Sequence, residues 1–221
     1  VTDNNSRRVR VLVVDDHPIV RKGFAQLINS EPDLEIVGEA EDISQALRIA
    51  REVEPDLAIV DLALKTGNGL EVIKALKSHN PNIKMLAASA LDESLFAERA
   101  LRAGAQGFIS KHEAIENLVG AIRAVLDENI YLSPKMTQRL LHHVSGRGLA
   151  IESSPVERLT DRELEVFQLL GEGLSTRQIA AKIHLSPKTI DRYRDNIKQK
   201  LQLKNATELI RQATQWVLEN R

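Results

Sequence analysis

Cysteine is missing from all 221 residues of the chain. A disulfide framework and thiolate-based metal or redox chemistry are therefore excluded, and a reducing compartment, the cytoplasm, is the expected location. Long hydrophobic runs are missing too. The longest are about five residues, against roughly 18 for a membrane span, so no membrane partner is expected. The stretch Val1-Thr2-Asp3-Asn4-Asn5-Ser6-Arg7-Arg8 is polar and shows no signal peptide. A charge excess of either sign is also absent, with 30 Lys+Arg against 31 Asp+Glu and a net charge of −1. Spread evenly, that balance argues against a nucleic-acid partner.

The balance is not spread evenly. Residues 1–126 carry 15 basic and 19 acidic side chains, a net −4, whereas residues 157–221 carry 12 and 9, a net +3. The hydrophobic pattern divides at the same places. In 1–126, short β-branched or Leu-rich runs (9–14, 34–37, 57–60, 83–88 and 105–109) alternate with stretches of helical spacing (18–29, 43–52, 69–77, 93–102 and 113–126). Non-alternating apolar runs of this length read as strands buried on both faces of a parallel sheet. Five such βα repeats predict a flavodoxin-like, doubly wound α/β domain. Within its helices, Ala46, Ile49 and Ala50, and Ile115, Leu118, Val119 and Ile122, are expected on buried faces.

Residues 127–156 are expected to be a linker. Ser133-Pro134 opens a short helix there, and loops lie at 145–148 and 153–155. From 157 no strand pattern remains. Capping boxes at Thr160–Glu163 and Ser175–Gln178, a turn at 184–186, Ser186-Pro187 and Asn205–Glu208 mark the starts of four helices, with Gly171 and Gly173 ending the first. Two short helices across a tight turn have helix-turn-helix proportions.

Several polar residues fall at predicted strand ends: Asp15 and Asp16 after the first, Asp61 after the third, Ser89 after the fourth and Lys111 after the fifth. Ligands of open α/β sheets bind beyond the carboxyl ends of the strands, at the switch in strand order. With order 2-1-3-4-5, Asp15, Asp16 and Asp61 share one cleft. Clustered carboxylates repel, and an all-oxygen set favours Mg2+, or Mn2+, over Zn2+. A carboxylate beside such an ion can act as a nucleophile toward phosphorus. His17 reads as a helix-start residue rather than a ligand.

With these residues in order, and Gly69 eight positions after Asp61, residues 9–126 resemble the receiver domain of bacterial two-component response regulators. The resemblance implies that Asp61 is the phosphoacceptor and that Asp15 and Asp16 bind Mg2+ with it. It also implies that Ser89 is the switch hydroxyl, Lys111 the phosphate-contacting lysine and Phe108 the aromatic that turns inward; a plain core role for Phe108 is the alternative. Lys65 stands where the family usually has Pro, and Ala63 and Leu91 replace polar neighbours.

On a helical wheel for 187–201, Ile190, Ile197 and Leu201 form a buried edge. Lys188, Arg192, Asp195, Asn196 and Gln199 lie opposite, and such groups can read base edges in the major groove. Tyr193 and Lys198 on the flanks, with Thr176 and Arg177, suit phosphates. Residues 157–219, with the strings 159–166, 173–175, 178–180 and 185–190, resemble the LuxR-type helix-turn-helix domain, which adds Thr189 to the DNA-binding set. Trp216 and Ile210 on the last helix fit the core or a dimer interface, with the core as the expectation for both. The whole chain resembles a NarL/FixJ-type response regulator. The implied partners are double-stranded DNA, a histidine kinase or small phosphodonor, and a second copy of the chain when active. Phosphorylation would control dimerisation or domain release, and hence DNA binding. Three other readings stay open: a regulator of the same fold that ignores phosphorylation, a phosphotransferase or phosphatase (with Ala63 where a general acid would stand), and a structural module without DNA.

Overall fold

In a computed structural model, residues 7–65, 67–144 and 155–219 are described. The chain divides into two compact units, Val1–Leu140 and Leu141–Arg221.

The first unit holds five parallel strands: β1 (Val9–Val14), β2 (Leu34–Ala40), β3 (Leu57–Val60), β4 (Lys84–Ser89) and β5 (Gly107–Ser110). Their order is β2-β1-β3-β4-β5. The helices are α1 (Pro18–Asn29), α2 (Ile43–Val53), α3 (Gly69–His79), α4 (Glu93–Ala103) and α5 (Ala114–Leu126). α1 packs with α5, while α2, α3 and α4 pack in succession. Local chemistry starts three of them. Asp42, Asn68 and Asp92 cap α2, α3 and α4 by accepting the backbone N–H of Gln45, Leu70 and Ser94.

Two strand ends differ from the sequence pattern by two residues or more. β2 continues through Gly38 and Glu39 because its pairing with β1 resumes after a register shift at Val11/Leu12. β5 begins at Gly107 because the Ala105 N–H still bonds the Ala100 carbonyl and closes α4. Ile115 is a correction. It is 73% exposed, because the buried stripe of α5 is Ala114, Leu118, Ala121, Ile122 and Val125, which turns its neighbour outward. After α5, Tyr131 pairs with Gly107 alongside β5, accepting from Phe108 N–H at 2.8 Å. Ser133 then caps α6 (Pro134–Val144), through Met136 N–H. The expected loop residues 145–148 and 153–154 lie outside the described residues; Pro155 opens a 3-10 turn, Pro155–Arg158.

The second unit contains α7 (Asp161–Gly171), α8 (Thr176–Lys182), α9 (Pro187–Lys200) and α10 (Ala206–Glu219). Both capping boxes form. Gly173 takes φ 86° just beyond α7. Gly171 has another role than ending the helix: a Cβ there would stand 2.3 Å from the Ala213 carbonyl oxygen, so glycine lets α10 close on α7. α10 buries Leu209, Ala213 and Val217, which leaves Ile210 exposed, not in the core as expected. Trp216 is half-buried, its ring 5.9 Å from that of Phe167. Among the described residues no helix is long and apolar enough to cross a membrane.

Candidate functional site

The sheet ladder itself assembles the acidic cluster. The Asp15 N–H bonds the Ala40 carbonyl, the Asp61 N–H bonds the Val14 carbonyl at 2.8 Å, and the Lys111 N–H bonds the Ser89 carbonyl at 3.0 Å. Backbone pairing thus continues one residue past each strand and sets the polar side chains side by side. Gly69 permits the close approach of α3, since a Cβ at that position would lie 2.0 Å from the Asp61 carbonyl oxygen.

Asp15, Asp16, Asp61 and Ser89 are all buried. Lys111 Nζ stands 2.7 Å from both Asp15 Oδ2 and Asp61 Oδ2. The Ser89 hydroxyl donates to Asp61 Oδ1 at 3.2 Å, and Ala63 N–H donates to the same oxygen at 3.0 Å. Burial pushes the Asp61 carboxyl above its usual range; Lys111 opposes this, and Asp15 adds to it. Burial works against the Lys111 charge, but Asp61 and Asp15 together outweigh it and raise that ammonium's pKa. Both shifts favour the protonated form, for Asp61 chiefly through burial and for Lys111 through the neighbouring carboxylates. Phe108 is fully buried on β5, next to the Gly107–Tyr131 pairing.

Two buried oxygens, Asp15 Oδ2 and Asp16 Oδ1, accept no well-aligned hydrogen bond. Their close nitrogen neighbours are Lys111 Nζ, 2.7 Å from Asp15 Oδ2, and His17 Nδ1, 2.8 Å from Asp16 Oδ1. One ligand atom each from Asp15, Asp16, His17 and Asp61 falls within a 4.8 Å group. Carboxylate oxygens with spare lone pairs, packed this closely, fit a hard divalent cation. His17 does begin α1, but makes no side-chain cap there and lays its ring on the cluster. A lone histidine carries no pattern in sequence, so only the fold brings out this contact. Lys65, at the family's usual proline position, donates its N–H to Asp16 Oδ2 at 2.9 Å, with Nζ 3.6 Å from the same oxygen.

In the second unit, Ile190, Ile197 and Leu201 form the buried edge of α9. α8 and α9 are joined by a turn in which His184 takes φ 56° and the Ser186 hydroxyl caps Thr189 N–H. Lys188, Arg192 and Gln199 are exposed, while Thr189, Tyr193 and Asn196 are half-buried. Some of the sequence-predicted groups are already engaged. Lys198 pairs with Asp195 at 2.9 Å, and the Thr189 hydroxyl meets that of Ser186 at 2.8 Å. The Thr176 hydroxyl accepts from Arg194 Nη1 at 2.6 Å and lies 3.4 Å from Asp191, which pins α8 to α9. Arg177 is exposed. A buried carboxylate unremarked beyond its cap, Glu163, accepts from Lys200 at 2.6 Å and from Thr160 N–H at 2.8 Å. These bonds hold its pKa below the usual value against the opposing effect of burial.

Comparison with known proteins matches residues 11–123 to the response regulator receiver domain and residues 157–213 to the bacterial regulatory proteins of the luxR family. The response regulator GacA of Pseudomonas viridiflava is 34% identical over 91% of this chain and 93% of its own. The oxygen regulatory protein NreC of Staphylococcus carnosus is 32% identical over 93% of this chain and 96% of its own. Among solved structures, RcsB from Salmonella enterica serovar Typhimurium, bound to promoter rprA in the presence of the phosphomimetic BeF3-, is 26% identical. It superposes with a TM-score of 0.69 over 94% of this chain and 99% of that one.

Proposed function

We infer that Asp61 is the phosphoacceptor of this chain, which belongs to the two-component response regulators that join a receiver domain to a LuxR-type DNA-binding domain. The protein is a transcription regulator, not an enzyme. We assign residues 1–126 to the receiver, 127–156 to the linker and 157–221 to the DNA-binding domain, and place its action in the cytoplasm.

In the proposed reaction, an Asp61 carboxylate oxygen attacks phosphorus in line. The bond from phosphorus to the donor breaks, and the donor's histidine nitrogen or acyl oxygen leaves with the electron pair. Asp15, Asp16 and Asp61 would hold Mg2+, with Mn2+ as a substitute. When bound, the cation offsets the repulsion between carboxylates and phosphoryl oxygens. Lys111, which stands between Asp15 and Asp61, gives up its contact with the attacking carboxylate and pairs with a phosphoryl oxygen. Ser89 turns its hydroxyl from Asp61 Oδ1 to another phosphoryl oxygen. Phe108, buried on β5, would pass the change to the α4–β5 side through its conformation. The result is a shift between existing populations that favours dimerisation or domain release and tighter DNA binding.

On double-stranded DNA, α9 would lie in the major groove. Lys188, Thr189, Arg192, Asn196 and Gln199 would face bases, and Tyr193, Lys198, Thr176 and Arg177 the backbone. Lys198 would exchange Asp195 for a phosphate on binding. RcsB is described bound to promoter DNA in the presence of BeF3-, which supports DNA as the partner here. A homodimer pairs two half-sites and restores the affinity a single small module lacks.

The observation that carries the reading is the meeting of Asp15, Asp61, Ser89 and Lys111 at the ends of four adjacent strands. Incubation with acetyl phosphate and Mg2+, followed by intact-mass measurement, tests it. One added phosphoryl group in the wild type and none in Asp61→Ala is expected. An unlabelled wild type, or label persisting in Asp61→Ala, overturns it. DNA selection with and without acetyl phosphate then separates the phosphorylation-dependent regulator from one that ignores it.

A further inference from the structure

Arg21 lies on α1, away from the cluster of carboxylates, yet its side chain is only 11% exposed and every part of its guanidinium fork is used. Nε donates to Glu39 at 3.0 Å and Nη2 to Glu41 at 2.7 Å, on the β2–α2 side. Nη1 donates at 2.6 Å to the main-chain carbonyl of Asp15. That carbonyl belongs to the peptide joining Asp15 to Asp16, so whatever holds it sets the directions in which both carboxylates leave the backbone.

Neighbouring contacts tighten the same corner. The Asp15 N–H is tied to the Ala40 carbonyl, and the His17 N–H donates to Asp15 Oδ1 at 2.8 Å. An exposed Arg–Glu pair would contribute little. Here the Arg21 side chain is largely covered, although Glu39 and Glu41 are about half exposed, and one of its three arms reaches backbone, which a flexible surface pair does not do. Lysine, with a single nitrogen on a longer flexible stem, cannot reproduce three divergent donors.

We propose that Arg21 is a positioning residue for divalent-cation binding: it clamps the Asp15–Asp16 peptide to Glu39 and Glu41 so that the two carboxylates are preorganised toward Asp61. The proposal rests on the cation-binding role inferred above for Asp15, Asp16 and Asp61. Loss of a contact that orients a metal ligand commonly weakens metal affinity by about 10- to 100-fold.

Charge and positioning make opposite predictions. Arg21→Met removes a positive charge near an acidic site, so by electrostatics alone it would tighten cation binding, and Arg21→Lys would leave it unchanged. By positioning, both variants weaken it.

The test is Mn2+ binding to the full chain, read from the free-ion paramagnetic resonance signal, with Mg2+ in competition. Melting in EDTA is recorded in parallel, and Asp16→Asn serves as a control on the site itself. Both Arg21 variants are expected to raise the Mn2+ Kd by about tenfold or more, whatever their melting temperatures. Tighter binding by Arg21→Met with unchanged Arg21→Lys overturns the proposal in favour of a bulk-charge effect. Unchanged Kd with lowered melting in EDTA overturns it in favour of a purely structural role. Equal binding by the wild type and Asp16→Asn removes the cation site beneath it, an outcome read without any Arg21 variant.

Discussion

Replacing Lys111 with Met, which keeps much of the stem and deletes the ammonium, should destabilise the cation-free receiver and make its stability depend on added metal. Lys111 Nζ is 2.7 Å from both Asp15 Oδ2 and Asp61 Oδ2, and those side chains are 2% and 1% exposed. Breaking a buried ion pair by removing one partner costs about 3–5 kcal/mol, because the other charge stays buried and uncompensated. The lower end applies, since the Lys111 side chain retains 15% exposure and water can follow it. A loss of about 3 kcal/mol corresponds to a fall of roughly 10 °C in melting temperature for a unit of this size. A divalent cation replaces the lost positive charge, and saturation to about 100 times Kd returns some 2.7 kcal/mol. Scanning calorimetry of the full chain in EDTA and in excess Mg2+ resolves the effect. The Mg2+-induced rise should be larger in Lys111→Met than in the wild type. If the variant melts within about 2 °C of the wild type in EDTA, a shift near the lower limit of what 1 kcal/mol produces, the cluster is too well screened for this ion pair to matter.

The second unit carries the other tests. Glu163 has a pKa lowered from 4.5, so its contribution to stability is present above that value and disappears as pH falls through the lowered folded-state value. Lys200→Met should cost about 1–2 kcal/mol at pH 7 and almost nothing once the pH has fallen below the lowered folded-state pKa of Glu163, for one charge-assisted bond with a partly exposed donor, as followed by Trp216 fluorescence. Gly171→Ala forces a Cβ against the Ala213 carbonyl at 2.3 Å. It should destabilise the same unit by about 1–3 kcal/mol in a denaturant titration. Arg192→Ala should relax base preference at one position of the selected DNA site, at about 1–3 kcal/mol, whereas a residue touching only phosphate should lower affinity evenly and reduce the salt slope by about one.

Strand existence and order were legible because runs such as Leu57–Val60 are apolar throughout and bounded by turns, and because polar residues recur where those runs stop. The parts that were not legible depend on tertiary partners. β2 extends through Gly38 and Glu39 only because β1 offers a ladder beyond a register shift. Ile115 looks like part of a buried stripe until the rotation of α5 is fixed by Ala114, and Ile210 fails for the same reason on α10. A helical period locates a stripe only to within one residue. In the acidic site, residue types at strand ends identify the cluster, but His17, Lys65 and Arg21 reach it through side-chain lengths and loop directions that no spacing encodes. Gly171 reads as a helix stop because glycine often is one. Its constraint comes from a carbonyl of α10 that is 42 residues away in the chain.

The resting geometry bears on how the switch can work. Lys111 and the Ser89 hydroxyl both start in contact with Asp61, and Phe108 is already inside. On the proposed phosphorylation of Asp61, neither polar group has to search for its new partner; each exchanges a carboxylate oxygen for an oxygen of the phosphoryl group carried on that carboxylate. A small exchange of this kind favours a population shift with a modest free-energy gap over a large obligatory rearrangement. The Ser89 carbonyl accepts from Lys111 N–H, so the two groups are tied through the backbone and respond together. Phe108 N–H bonds the Tyr131 carbonyl, and Glu93 at the start of α4 accepts from Ser133 N–H at 2.9 Å. These two bonds tie the segment after α5 to both β5 and the start of α4. The division of charge, net −4 over 1–126 and +3 over 157–221, belongs to the same logic. On the proposed reading a cation and a phosphoryl group meet where negative charge is concentrated, and a polyanion where positive charge is, so whole-chain neutrality gives no reason to doubt a DNA partner.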